Sequence, residues 1–228
     1  MIKTLPLLSA ISATLLLSAC GSQGTKDSSS TGSNTVAEPS GETIVLWNGD
    51  TPAYNTSWAP GGWAHANDAS IDSVTLEQQA GVGYQGSNGL KVEAAGSKWM
   101  GIGWNWMGAW EGDTGMDLSN YSAIGFKIRI DGEKLFGPNE GVAVHFNSGG
   151  PTKNNMSQSF KVEQFANGNI QDGEWHMVTV PLTQVVGTTM GGDSGPFNIT
   201  KVRELDLGLN TQGYIDLNVY IDDIVAIR

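Results

Sequence analysis

Beyond Glu42, apolar and polar residues alternate with a period of two in one segment after another. The segments are Thr43 to Trp47, Ser73 to Gln78, Leu90 to Ala94, Met100 to Met107, Ala123 to Ile130, Gly141 to Phe146, Gln158 to Glu163, Trp175 to Pro181, Val202 to Leu209 and Ile215 to Ile227. A period of two sends successive side chains to opposite faces of an extended chain, so each segment reads as a strand with one buried side. Between them lie turn clusters such as Pro60-Gly61-Gly62, Gly86-Ser87-Asn88-Gly89, Ser148-Gly149-Gly150-Pro151 and Gly191-Gly192-Asp193. No window of a dozen residues carries a 3.6 period. About ten short strands joined by such turns predict an all-β domain over residues 43–228, a two-layer antiparallel β-sandwich of the jelly-roll kind.

The alternation also assigns faces. Ile124, Phe126, Ile128 and Ile130 point to the core, and Lys127 and Arg129 point away from it. Val142, Val144 and Phe146 oppose His145 and Asn147; Leu205, Leu207 and Leu209 oppose Glu204, Asp206 and Asn210. If those outward sides belong to one sheet, Arg129, His145, Asn147, Asp206 and Asn210 line an open groove. Strand neighbours are not written in the alternation itself.

The first twenty residues follow a different rule. Lys3 precedes an apolar run from Leu5 to Leu17, and Leu17-Ser18-Ala19-Cys20 closes it with small residues ahead of the chain's only cysteine. The run is shorter than the roughly 20 residues needed to cross a bilayer as a helix. The tetrapeptide resembles the lipobox of bacterial lipoproteins, which implies cleavage before Cys20 and lipidation of its thiol, often with a second acylation at the amine. Two or more acyl chains are needed for firm anchoring. Gly21 and Ser22 follow, not the Asp that resembles an inner-membrane retention signal, so the outer membrane is the expected location. Residues 21–42 are rich in Ser, Gly and Thr and hold too little apolar surface to offset the entropy of ordering. They read as a disordered tether with a root-mean-square reach of roughly 25 Å.

Composition narrows the partners. Lys and Arg number 12 against 23 Asp and Glu, a net charge of -11, so a surface that neutralises phosphates would have to be built against the overall field. Nucleic acid is excluded as a first reading. Glycine, at 31 of 228 residues, stands at about twice its usual share. Tryptophan, with 8 residues, outnumbers both Tyr and Phe. Trp99, Trp104, Trp106 and Trp110 crowd between residues 99 and 110, and Trp58 and Trp63 flank a Pro/Gly turn. Gly101, Gly103 and Asn105 fall opposite Ile102, Trp104 and Trp106, leaving a flat strip of backbone that a planar group can approach. Sugars stack their C–H faces on indole while their hydroxyls pair with Asn, Asp, Arg and His. Trp104 and Trp106, at i and i+2, fit either the core or such a site. Trp58, Trp63 and Trp110 sit in loop contexts that favour exposure, and Trp175 is assigned to packing.

The order of Trp47-Asn48-Gly49-Asp50, Asp117-Leu118-Ser119-Asn120-Tyr121-Ser122-Ala123-Ile124-Gly125-Phe126, Asp172-Gly173-Glu174-Trp175 leading to Val180-Pro181-Leu182, and Tyr220-Ile221-Asp222-Asp223-Ile224 resembles carbohydrate-binding modules with the galactose-binding-like jelly roll. The resemblance spans nearly all of residues 43–228. It implies a non-catalytic module that holds β-glucans, xylans or related chains on one sheet or at a loop edge. It also implies a structural calcium between the first and last strands, with Asp50 and Asp222 or Asp223 as the matching oxygen ligands.

Catalysis has less to stand on. Glycoside hydrolysis needs two carboxylates about 5 to 9 Å apart across the scissile bond. Glu204 and Asp206 form the one such pair in a good strand, and Glu111 and Asp113 flank the Trp-rich segment. His65, His145 and His176 have no His or Cys at metal-ligand spacing, and no Gly-x-Ser-x-Gly or phosphate-loop pattern occurs. The sequence thus reads as a lipid-anchored, glycan-binding envelope protein. It would capture poly- or oligosaccharide for neighbouring glycan-degrading enzymes or transporters, through Trp58, Trp63, Trp104, Trp106, Trp110, Arg129, His145, Asn147, Asp206 and Asn210. The alternatives are a glycoside hydrolase or lyase on the same sandwich, or an envelope scaffold.

Overall fold

Where the alternation is longest the strands are longest. A computed structural model describes residues 38–50, 62–66, 72–105, 115–149, 155–191 and 195–228, apart from the side chains at 62–65 and 105. All of these belong to the compact unit Asn34–Arg228. The strands are β1 (Thr43–Trp47), β2 (Gly62–Ala66), β3 (Ser73–Gln79), β4 (Gly89–Gly96), β5 (Met100–Asn105), β6 (Ala123–Lys134), β7 (Gly141–Ser148), β8 (Asn155–Met156), β9 (Phe160–Lys161), β10 (His176–Pro181), β11 (Val202–Asn210) and β12 (Ile215–Ile227). One helical turn, Leu182–Val185, follows β10.

Two sheets form, and every pairing within them is antiparallel. The first runs β10-β6-β12-β4-β3, with β1 also on β12; the second runs β2-β5-β11-β7-β8, with β9 also on β7. Their facing sides make one core: Ile124, Phe126, Ile128 and Ile130 of β6 pack in the same cluster as Leu205, Leu207 and Leu209 of β11 and Val142, Val144 and Phe146 of β7. The face assignment made from parity is the observed one.

Strand β12 changes neighbour halfway. Ile215 to Ile221 pair with β4, and Ile224 to Ile227 pair with β1. At the handover the register against β6 slips between Asp222 and Val225, and Asp223 takes φ 46°. This is a β-bulge, and it turns the buried Asp222 carboxylate toward the turn that precedes β4.

Three differences from the sequence reading concern the fold. Strand β2 occupies residues read as part of a Pro/Gly loop, because its pairing with β5 is fixed by a neighbour far along the chain (Gly103 for Trp63) and not by local alternation. The segment from 158 to 163 holds only the short β9 before a 3-10 turn over Val162–Gln164. The last residues of the expected tether lie on the domain: Arg228 donates its backbone N–H to the Glu42 carbonyl at 2.9 Å, and the Glu38 carboxylate accepts from Lys127 Nζ at 2.8 Å. The leader, Cys20 and residues 21–37 lie outside the described residues.

Candidate functional site

The outer face of the second sheet collects the polar positions. Cross-strand register sets them in rows: Asn105, Glu204 and Asn147; then Trp63, Gly103, Asp206 and His145; then His65, Gly101, Gly208, Ala143 and Lys161. Paired residues of neighbouring strands share a face. His145, Asn147 and Asp206 are thereby brought together as expected, with Asn210 exposed at the far end of β11, opposite Gly141. His145 Nε2 lies 3.1 Å from Asp206 Oδ2.

This floor is not an open groove. Glu204 is 0% exposed and Asp206 2%, and His145 and Asn147 are buried beside them. The Asn147 Oδ1 atom is shielded and, among the described residues, has no hydrogen-bond partner. Polar groups withdrawn from water cost stability unless they are paired, and here His145 is paired with Asp206.

Burial outweighs the nearby Glu204 charge at His145 and pulls the imidazole pKa down to about 4, so the ring is neutral at pH 7. An unfolded His titrates near 6.5. Above that value both states are neutral and His145 contributes no pH dependence. As the pH falls from about 6.5 toward 4, the unfolded chain takes the proton and the folded chain does not. Stability is therefore expected to drop by about 3 kcal/mol over this window. Urea midpoints at pH 7 and pH 4.5 check it: His145→Gln should remove most of the difference, and an equal loss in both proteins would assign it to other groups.

Tryptophan divides in a way that only parity explains. Trp104 is 1% exposed and points inward beside Ile102, opposite Leu205. It is a core residue, which corrects its assignment to the binding set. Trp99, not among the chosen candidates, is 38% exposed. It lies in phase with Gly101 and Gly103, and a methyl group built on Gly208 would come 3.0 Å from its indole Nε1. Glycine at 208 therefore lets the indole lie against the sheet backbone. The signal for Trp99 was present in the i, i+2, i+4 spacing with those glycines. Trp63 falls by register on the row of Gly103, Asp206 and His145. Trp58, Trp106, Trp110, Glu111 and Asp113 lie outside the described residues.

Arg129 is also corrected. It sits on β6 in the first sheet and faces away from the sandwich there, so it cannot share a groove with His145. Its guanidinium lies 3.8 Å from the Tyr220 ring centroid and 5.5 Å from that of Trp175. Trp175 in turn meets Tyr220 edge-on at 6.4 Å and Tyr84 at 6.1 Å. Trp175 is half-buried and makes these contacts outside the core cluster between the sheets.

Of the three carboxylates that the resemblance offers to calcium, two already have partners within the fold. Asp222 accepts from Tyr84 N at 2.8 Å, from Ser87 Oγ at 2.6 Å and from Asp223 N at 2.8 Å. Burial nevertheless raises its pKa. Asp223 is paired with Lys127 at 2.9 Å, and Asp50 is exposed. Among the described residues no group of three or more His, Cys, Asp or Glu side chains is placed to hold a metal.

Two antiparallel sheets packed face to face are the fold of the carbohydrate-binding modules to which the chain is similar. Residues 26–227 match the family model of carbohydrate binding domain 30, and the chain belongs to that family. No curated protein sequence matches the chain. Among solved structures it is similar to the family 30 module of the cellulosomal cellulase Cel9D-Cel44B of Clostridium thermocellum, at 17% identity and TM-score 0.56 over 81% of this chain and 96% of that one. It is also similar to the family 11 module of the cellulase Lic26A-Cel5E of the same organism, at 12% identity and TM-score 0.50 over 83% and 96%. A β-1,2-glucanase of Parabacteroides distasonis matches at 14% identity and TM-score 0.52, over 80% of this chain but 24% of the enzyme. At these identities the likenesses establish the fold, a β-sandwich jelly roll.

Proposed function

We propose that this carbohydrate-binding chain is a lipid-anchored envelope protein that holds a β-glucan-like chain on the outer face of its second sheet, without cleaving it. One observation carries the site. The buried polar rows of Glu204, Asn147, Asp206 and His145 adjoin a glycine strip on which Trp99 stands half-exposed. Stacking on Trp99 supplies contact area; Asn210 meets hydroxyls at the open end; and the rows beneath fix the shape of the floor. The choice of glucan is supported by the cellulases that carry the similar family 30 and family 11 modules. Binding in place of hydrolysis is supported by Asp206 being engaged by His145 and by the complete burial of Glu204, since a hydrolase needs both carboxylates at the scissile bond. Lipidation at Cys20 and an outer-membrane position follow from the lipobox resemblance, and would present captured glycan to neighbouring enzymes or transporters.

Calorimetric titration of soluble β-glucan into the full chain tests the site. Trp99→Ala is expected to weaken binding about tenfold or more, as loss of an aromatic hot spot does, with little change in melting midpoint. Unchanged affinity in that variant would contradict the placement, and release of reducing ends by the unsubstituted chain would contradict the absence of hydrolysis.

A further inference from the structure

Past the open end of the binding face the second sheet runs into a cleft of about 410 Å³ lined by Phe136, Pro138, Glu140, Lys161, Glu163 and Gln171. Its size falls in the range of small-ligand sites, about 300–1,000 Å³. We propose that this cleft is an additional saccharide subsite, which extends the glucan-binding face beyond Trp99; the proposal rests on the reading of that face given above. The register makes the connection. Lys161 of β9 pairs with Ala143 of β7, which pairs with Gly208, the residue under the Trp99 indole. A chain lying across that row leaves the sheet at Lys161 and meets the cleft.

The walls are fixed before any ligand arrives. Glu140 accepts the Gly137 N–H at 2.5 Å and those of Gln212 and Gly213, clasping two loops at the same end of the sandwich. Gln171 Oε1 accepts from Phe136 N at 2.8 Å, which holds the opposite wall and leaves the Gln171 amide N–H groups as donors. Glu163 packs its carboxylate where Gly141 has no side chain. One of its oxygens is shielded and, among the described residues, has no hydrogen-bond partner. The terminal torsion of a glutamate is broad, so a small rotation presents that oxygen to a donor entering the cleft.

The donor and acceptor set selects the ligand class. Two carboxylates repel a phosphate or a uronate, and the Lys161 ammonium repels a metal cation. A neutral polyol uses all three kinds of group at once: hydroxyls donate to Glu163 and accept from Lys161 and Gln171, and Phe136 and Pro138 offer apolar contact to a sugar ring. Pre-formed walls keep the ordering cost low.

Titration calorimetry on the full chain with a β-1,4-linked glucose trisaccharide and hexasaccharide tests the assignment, using Glu163→Gln and Lys161→Ala, with Trp99→Ala as the probe of the face. Each cleft variant is expected to bind the hexasaccharide about tenfold more weakly, the loss typical of a hydrogen bond to a charged group. The same variants should bind the trisaccharide as the unsubstituted chain does, with unaltered melting midpoints. Hexasaccharide affinity unchanged in both cleft variants, while Trp99→Ala weakens it, overturns the subsite and leaves the face intact. Equal losses at both lengths also overturn the subsite. Failure of the unsubstituted chain to bind either oligosaccharide overturns the face reading and the subsite with it.

Discussion

Trp104→Ala is expected to lower the stability of the domain by about 3–5 kcal/mol, the loss seen when a large aromatic is cut from a packed core. The indole is buried at 1% exposure in the cluster shared by both sheets. Alanine would leave a cavity between layers that collapse only in part. Set against a total stability of about 5–15 kcal/mol for a domain of ordinary robustness, the substitution removes a large fraction of what holds the fold. Urea unfolding measures it directly. The folded fraction should still bind glycan, because the outer face runs along the other side of the strand. A variant with an unchanged midpoint and abolished binding would place the ring outside the core.

The second large effect is expected at Asp222. Its carboxylate takes two backbone N–H groups and one hydroxyl at the bulge of β12, joining that strand to the turn before β4. Asp222→Ala removes the carboxylate that accepts the buried Tyr84 N–H and loosens the Tyr84 to Ser87 turn, a cost of about 2–4 kcal/mol. Asp222→Asn keeps the shape and one acceptor oxygen, and should lose less. The melting midpoint with and without chelator separates this role from metal ligation. A midpoint unchanged by chelator would assign the cost to hydrogen bonding alone, and a fall on chelation would place an ion at this end of the sandwich.

How far these features were legible depends on the range of the interaction behind each. Parity is local, so Ile124, Phe126, Leu205 and Leu207 could be sent to the core, and His145, Asn147 and Asp206 to the outside, from the residues alone. The same rule contained Trp99, which sits two positions before Gly101 and just ahead of the strand, where alternation is weakest as a guide. Trp104 was ambiguous because a binding strand and a core strand both show aromatics at i and i+2. Only its partner Leu205, a hundred residues away, fixes it inward. Arg129 and His145 carry the same outward signature, yet they sit on opposite sheets, and strand neighbours are a matter of topology. Asp222 meets Tyr84 across 138 positions, so a paired acidic motif near the end of the chain gave no hint of a turn near its middle. The cleft at Glu163 and Lys161 left no sequence signal either, being made where β9, the loop after β6 and Gln171 converge.

The central claim is that glycan lies on the outer face of the second sheet. Amide and indole NMR shifts during titration of the full chain with the β-1,4-linked glucose hexasaccharide test it most directly. The account predicts that the Trp99 indole N–H and the amides of Gly208 and Asn210 move with the ligand, while the amides of Arg129 and Tyr220 on the first sheet stay in place. Movement at Arg129 and Tyr220 with a silent Trp99 would contradict it.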